Sequence, residues 1–322
     1  MQKIIFIILA CLLTIAASDA GDIKSQTFKF TYSFAIKNIA GEAKEIRFWI
    51  PFPPEGKFQS IIKTEIDLPA KHEIIEDDKY HNKIIYGAYK NEGKSQLTGT
   101  LTYHVKRKER LGKPMDAGGT GEDSYPAELD KYLQPGNLVT ISPRVKALAQ
   151  SITKGKLTLP GKAKAIYDYV FENMEYNKET PGWGFGDTER ACDIRKGNCT
   201  DFHSLFISLA RASGIPAKFV IGFNIPQKNE SVIKGYHCWA EFFLKGAGWI
   251  PVDISRAWKD KSRKEYYFGS LDQNRIEFSI GRDITLTPAQ EGDPLNYFIY
   301  PYLEIDGNMV LGIETSFGCE LL

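Results

Sequence analysis

The sequence predicts an α+β protein in which an antiparallel β-sandwich-like region precedes a region of mixed helices and strands. Three observations carry this. Apolar residues alternate with period two through much of the first hundred positions after an apolar leader. Two helical patterns follow from residue 142, and a third helix ends at "SGIP" before two more strand patterns. At 322 residues the chain exceeds the usual single-domain size. The expected division is a signal peptide at 1–20, a β-rich domain at 21–110, a linker at 111–142, a second α+β domain at 143–290 and C-terminal strands at 291–322.

The N-terminus "MQKIIFIILACLLTIAASDAGD" has one early lysine, an apolar run from Ile4 to about Ala17, and small residues where a signal peptidase would cut. The run is too short and wrongly flanked for a membrane span, so cleavage near Ala17 or Ala20 and a periplasmic or secreted mature protein are expected, with no integral membrane span. Cys11 raises the alternative of a lipoprotein anchor, but apolar residues continue beyond it, as they do inside a signal core. Without Cys11, the cysteines are Cys192, Cys199, Cys238 and Cys319. Disulfides are permitted in an exported protein, yet four cysteines are too sparse here for a disulfide scaffold. Forty-one basic and 40 acidic residues leave a formal charge of +1, which argues against nucleic acid or an anionic membrane as main partner.

In "TFKFTYSFAIK", Phe28, Phe30, Tyr32, Phe34 and Ile36 share one face of a half-buried strand. "NIAG" supplies a turn, "KEIRFWIPF" a second strand, and "QLTGTLTYHV" a third with Leu97, Gly99, Leu101, Tyr103 and Val105 on one side. Residues 108–142 are rich in glycine, proline and acids and read as a connection, on which Tyr125, Leu129 and Tyr132 are the docking candidates. "SPRVKALAQSI" starts a helix with Ser142 as cap and Pro143 at its first position. "LPGKAKAIYDYVFENM" repeats Ala165, Tyr169 and Phe171 to Met174 at helical spacing. The tail "NYFIYPYLEIDGNMVLGIE" reads as two strands around Asp306-Gly307.

"KGNCTDFHSLFISLARASGIP" places Phe202, Leu205, Phe206, Leu209 and Ala210 on a buried helix face, with Asn198 as cap and Asp201 suited to the positive first turn. Cys199 therefore opens a core helix, beside Arg195 and Lys196, where a thiolate is favoured. Buried filler, metal ligand and nucleophile are all open readings of such a cysteine. A metal site would draw on Cys192, Cys199, His203 and His237, whose spacing contains neither a Cys-x-x-Cys pair nor a two-histidine helix motif. A nucleophile needs a base. In "GYHCWAEFFL" His237, Trp239 and Glu241 share one strand face, while Cys238 points away from it. A hairpin centred on Gly246 that sets Trp239 opposite Asp253 would make His237 and Asp253 diagonal neighbours.

"GNCTDFHSLFISLARASGIPAKFVIGF" followed by "YHCWAEFFLKGAGWIPVDIS" resembles the transglutaminase-like superfamily. Its pattern is a cysteine at a helix start, a histidine on a strand before an aromatic and an acid, and an aspartate after a Gly-Trp strand. The resemblance covers about residues 160–260 and implies a papain-like α+β domain with Cys199 as nucleophile, His237 as base and Asp253 as its orienting acid. It implies acyl transfer or hydrolysis on peptide-type amides, with a peptide or protein as substrate. The favoured expectation is a cysteine protease or amidase. The alternatives are a protein-glutamine transglutaminase and an inactive peptide- or glycan-binding module on the same fold.

Trp183, His203 and Trp239 are candidates for the substrate cleft. The Cys199 N–H and a second donor from the segment Tyr176 to Trp183 are candidates for the oxyanion site. No nucleotide, flavin or calcium motif is present, so no cofactor is implied.

Overall fold

The computed structural model describes residues 23–40, 42, 44–112, 125–227 and 231–322. The expected signal peptide, Cys11 and residues 113–124 of the expected linker lie outside the described residues.

The alternating aromatics form β1 (Ser25–Lys37), with Phe28, Phe30, Tyr32, Phe34 and Ile36 buried. β2 (Glu45–Pro51), β3 (Gln59–Asp67), β4 (Glu73–Glu76), β5 (Lys83–Lys90) and β6 (Gln96–Lys108) follow. β3, β6 and β1 form one antiparallel ladder, and β4, β5 and β2 another. Ile46, Phe48, Ile50 and Ile85 of the second ladder share a buried cluster with Phe34, Ile36, Leu97 and Leu101 of the first, as the two inner faces of a sandwich do. Gly99 sits within that face because a Cβ there would come within 2.4 Å of the Phe34 ring.

The residues described between 125 and 142 are packed. Leu129, Tyr132 and Val139 are buried, and the Tyr132 ring lies edge-on to Trp249, centroids 4.9 Å apart. α1 (Pro143–Thr153) starts as expected, with Ser142 Oγ accepting from the Val145 N–H at 3.2 Å. α2 (Leu159–Asn173) forms where its pattern predicts, but with a different face inward. Ala163, Ile166, Tyr167 and Val170 are buried, whereas Ala165 and Tyr169 are only half-buried. Tyr167 is tolerated inside because its hydroxyl donates to the Lys264 carbonyl at 2.7 Å.

Next come β7 (Glu175–Tyr176), α3 (Thr188–Ile194), β8 (Lys196–Gly197), α4 (Cys199–Ala212) and β9 (Ala217–Asn224). β10 (Val232–Ile233), β11 (His237–Leu244), β12 (Gly248–Val252), α5 (Ile254–Lys259) and β13 (Arg275–Ile280) follow. An antiparallel sheet of order β12-β11-β9-β13 carries α4 on one face, where Phe206 meets Phe242 at 6.1 Å. Gly222, in the central strand β9, leaves room for the neighbouring β13, since a Cβ there would lie 1.8 Å from the Ile276 carbonyl oxygen.

The tail forms β14 (Tyr302–Ile305) and β15 (Asn308–Met309) around the expected turn, and then β16 (Glu314–Leu321). β16 pairs with β1, and β14 with β2, so the last strands complete both sheets of the first region as five-stranded sheets. β10 joins the edge of the same sheet as β16. Phe30 of β1 packs on Phe223 of β9 at 5.1 Å, which fixes the first region against the sheet that carries His237. No described helix is long and apolar enough to cross a membrane.

Candidate active site

Asn198 and Asp201 close a capping box at the start of α4. Asn198 Oδ1 accepts from the Thr200 N–H at 2.8 Å, and Asp201 Oδ2 accepts from the Asn198 N–H at 2.8 Å. Asp201 is fully buried and also accepts from the N–H groups of Gly184 at 2.8 Å and Gly186 at 3.2 Å. Those glycines have φ of 85° and 67°, a region glycine enters without a Cβ penalty. Asp201 thus serves the helix terminus, as expected, and in addition pins the "GWGFG" loop beside it. Burial raises its carboxyl pKa, opposed by the N–H groups it accepts from.

Cys199 is the first residue of α4 and is 3% exposed. Across from it, Ala240 pairs with Val252, the register that sets Trp239 opposite Asp253. His237 is thereby brought onto Asp253, its Nε2 lying 2.7 Å from Oδ2. Nδ1 is the ring nitrogen left for the Cys199 thiol.

Burial works against both charged forms, and the partners outweigh it. Contacts from Cys238 and His237, together with the charge of His237, hold the Cys199 thiol well below the usual range. The charge and hydrogen bond of Asp253 hold the His237 pKa above the usual imidazole value. Both shifts favour a thiolate and an imidazolium.

Asp253 is fixed on every side. It caps α5 by accepting from the Arg256 N–H at 3.1 Å, accepts from Ser255 Oγ at 3.3 Å, and receives the Arg275 guanidinium at 3.0 Å. Burial would raise its pKa, but His237 and Arg275 hold the carboxyl far below the usual carboxylate range. Arg275 is fully buried, is tied also to Asp272 at 3.4 Å, and lies 5.0 Å over the Trp239 ring. Sequence reasoning missed this arginine. A charged residue in a short strand reads as solvent-facing unless its two carboxylate partners are known.

The cleft candidates separate. Trp183 is 38% exposed, in the loop pinned at the helix start. His203 and Trp239 are wholly buried and present no surface to a substrate. His203 Nε2 accepts from the Ile254 N–H at 3.0 Å, and burial pushes its pKa down to about 4, so it is neutral with its proton on Nδ1. Its role is to join α4 to α5. Trp239 lies behind His237 under Arg275.

Cys238 does point away from Asp253, but the face opposite to His237 is the one covered by α4. Its sulfur consequently lies 3.7 Å from Thr200 Oγ1 and 3.8 Å from His203 Nδ1, on the side of the sheet where Cys199 opens α4. Cys192, Cys199, Cys238 and Cys319 are free thiols. Among the described residues no three His, Cys, Asp or Glu side chains are grouped to hold a metal. Tyr236 bonds Asn198 Nδ2 and Thr200 Oγ1, each at 3.0 Å, and its ring is tilted on Tyr297 at 5.4 Å and edge-on to Tyr300 at 6.2 Å, an aromatic group beside the helix start.

Residues 146–254 match the family described as the transglutaminase-like superfamily. An uncharacterized protein of Haemophilus influenzae is 28% identical over 319 residues, covering 87% of this chain and 86% of its own length. A protein-glutamine gamma-glutamyltransferase of Pseudomonas aeruginosa is 27% identical over 120 residues, 35% of this chain but only 18% of that protein. The solved structure of a candidate cysteine protease from Cytophaga hutchinsonii superposes with a TM-score of 0.64 at 15% identity, covering 93% of this chain and 98% of that one. At that identity the likeness is one of fold.

Proposed function

Because residues 146–254 match the transglutaminase-like superfamily, we infer that the protein is a thiol acyl-transfer enzyme acting on peptide-type amide bonds through Cys199, His237 and Asp253. The observation that carries this is His237 held between a lowered thiol and a fixed carboxylate, with Nε2 on Asp253 at 2.7 Å and Nδ1 free for sulfur. The thiolate adds to the carbonyl carbon, and the oxygen takes the charge near the Cys199 N–H at the start of α4. The C–N bond then breaks as His237 gives its Nδ1 proton to the leaving amine, leaving a thioester. Water, losing a proton to His237, opens the thioester to a carboxylic acid and restores the thiolate. Asp253, ionised throughout, keeps the imidazole oriented and stabilises its charge.

Hydrolysis is the favoured second half, because an exported enzyme meets water at far higher concentration than any amine. Export itself, to the periplasm or beyond, rests on the leader at 1–20, and the division of the chain into domains at 21–110 and 143–290 belongs to the same proposal.

The test is a peptide library incubated with wild-type protein and with Cys199→Ala, with and without a primary amine, scored by mass spectrometry. Cleavage that depends on Cys199 supports the hydrolase. Amine incorporation into glutamine in preference to cleavage moves the assignment to a transglutaminase. Binding without either reaction in wild type overturns the enzyme reading in favour of a recognition module.

A further inference from the structure

We infer that the substrate carries a carboxylate beside the attacked bond, received by the ammonium groups of Lys178 and Lys259. This rests on Cys199 being the nucleophile. Lys259 closes α5, the helix that begins directly after Asp253. Its Nζ lies 3.7 Å over the ring of Tyr176. Tyr176 pairs in parallel with Gly197, two residues before Cys199, so this ammonium stands at the mouth of the thiol site. Lys178 is two residues further on, with its Nζ 5.5 Å over the ring of Trp183. That ring belongs to the loop held to the helix start by Asp201.

Two other lysines near α2 and α5 are neutralised by carboxylates. Lys164 is paired with Asp168, and Lys264 with Asp168 and Glu172. Lys178 and Lys259 rest on aromatic faces, and among the described residues neither meets a carboxylate. An ammonium over a ring is held in place while its remaining N–H donors stay available. Burial and the charge of Lys178 lower the Lys259 pKa, opposed by Cys199 and Asp253, so a bound anion would relieve the repulsion between the two cations. The facing wall is different in kind. Burial raises the pKa of Tyr236, Tyr297 and Tyr300, so these rings stay neutral, and the Arg282 guanidinium near them is buried and spent on Ser204, Asn296 and the Phe185 carbonyl. A cleft with one cationic bank and one neutral bank selects for an acid on one side of the scissile carbonyl.

Two alkylating agents of nearly one shape read this without a natural substrate. Iodoacetate carries the carboxylate and iodoacetamide does not, so their rate ratio at Cys199, resolved by peptide mass spectrometry at pH 6 and low salt, measures anion selection. Changing both Lys178 and Lys259 to Gln should lower that ratio about five- to tenfold, as expected for removing two solvent-exposed cations that attract the reagent's carboxylate at low salt. Changing both to Arg should preserve it, and raising the salt should shrink the wild-type ratio towards that of the Gln variant. An unchanged ratio in the Gln variant overturns the inference while leaving the nucleophile intact. Equal proportional slowing by both reagents also overturns it, since the lysines would then act on the thiolate alone. A wild-type iodoacetamide rate at Cys199 that climbs about tenfold per pH unit between pH 5 and 7, as an ordinary thiol does, would instead sink the proposed chemistry and this inference with it.

Discussion

Replacing Arg275 by methionine removes a fully buried guanidinium while keeping much of its apolar bulk. Asp253 then loses a contact of 3.0 Å and Asp272 one of 3.4 Å. Breaking a buried ion pair by deleting one partner costs about 3–5 kcal/mol, because the other charge stays buried. The lower half of that range is expected, since Asp253 keeps His237 and the Arg256 N–H, and Asp272 keeps the Tyr267 hydroxyl at 2.9 Å and the Asn274 N–H at 3.0 Å. With an unfolding entropy of about 2 cal/mol/K per residue, a chain of this length shifts its Tm by ~1.5 °C per kcal/mol, so a fall of about 5 °C follows. Differential scanning calorimetry of Arg275→Met alone and combined with Asp253→Asn gives the value and the coupling. The double variant should lose much less than the sum of the two single changes. A Tm within about 1 °C of wild type for Arg275→Met, or strict additivity, would refute the claim that this arginine holds the acid of the site.

Asp201→Asn puts an amide N–H against the N–H groups of Gly184 and Asn198 or, flipped, against that of Gly186, at a cost of about 1–3 kcal/mol. Hydrogen exchange should speed up at residues 182–186 and at the first turn of α4, with the rest of α4 unchanged. Gly222→Ala drives a methyl into the Ile276 carbonyl and should destabilise by about 3 kcal/mol or more, read as a lower denaturation midpoint, while Gly246→Ala, at a hairpin tip with open space around it, should cost about 1–2 kcal/mol from its backbone φ of 83° alone.

What was legible in the sequence follows the range of the signal. β1 could be read because its alternation is local, as could the caps Ser142 and Asn198, whose partners lie two or three residues away. The His237–Asp253 contact could be read as well, because a hairpin of known centre fixes its own register. The docking of β16 on β1 could not, since nothing in "ETSFGCEL" names a partner almost 300 residues away. Arg275, and the second role of Asp201, depend in the same way on chain segments brought together only by folding. The inward face of α2 was misplaced for another reason. Ala165 and Tyr169 fit helical spacing, but so do Ala163, Ile166 and Val170, and only the neighbouring helices decide between them. Cys238 shows that a correct strand alternation can still mislead when the reacting atom lies on the helix side of the sheet.

The central claim is that Cys199 reacts as a thiolate held by His237, and the pH profile of its alkylation by iodoacetamide tests this most directly. An absolute rate is a poor guide, because a thiolate of lowered pKa is also less nucleophilic and the two effects partly cancel. The shape of the profile is free of that cancellation. The Cys199 pKa is lowered and that of His237 raised, so the charged pair exists above the first and is lost only as pH rises through the second. Between pH 5 and 7 the rate should change by less than about threefold, whereas an ordinary thiol near pKa 8.5 gains about 100-fold over that interval. His237→Ala should restore the ordinary rise. A wild-type rate that climbs about tenfold per pH unit, matched by His237→Ala, would contradict the account.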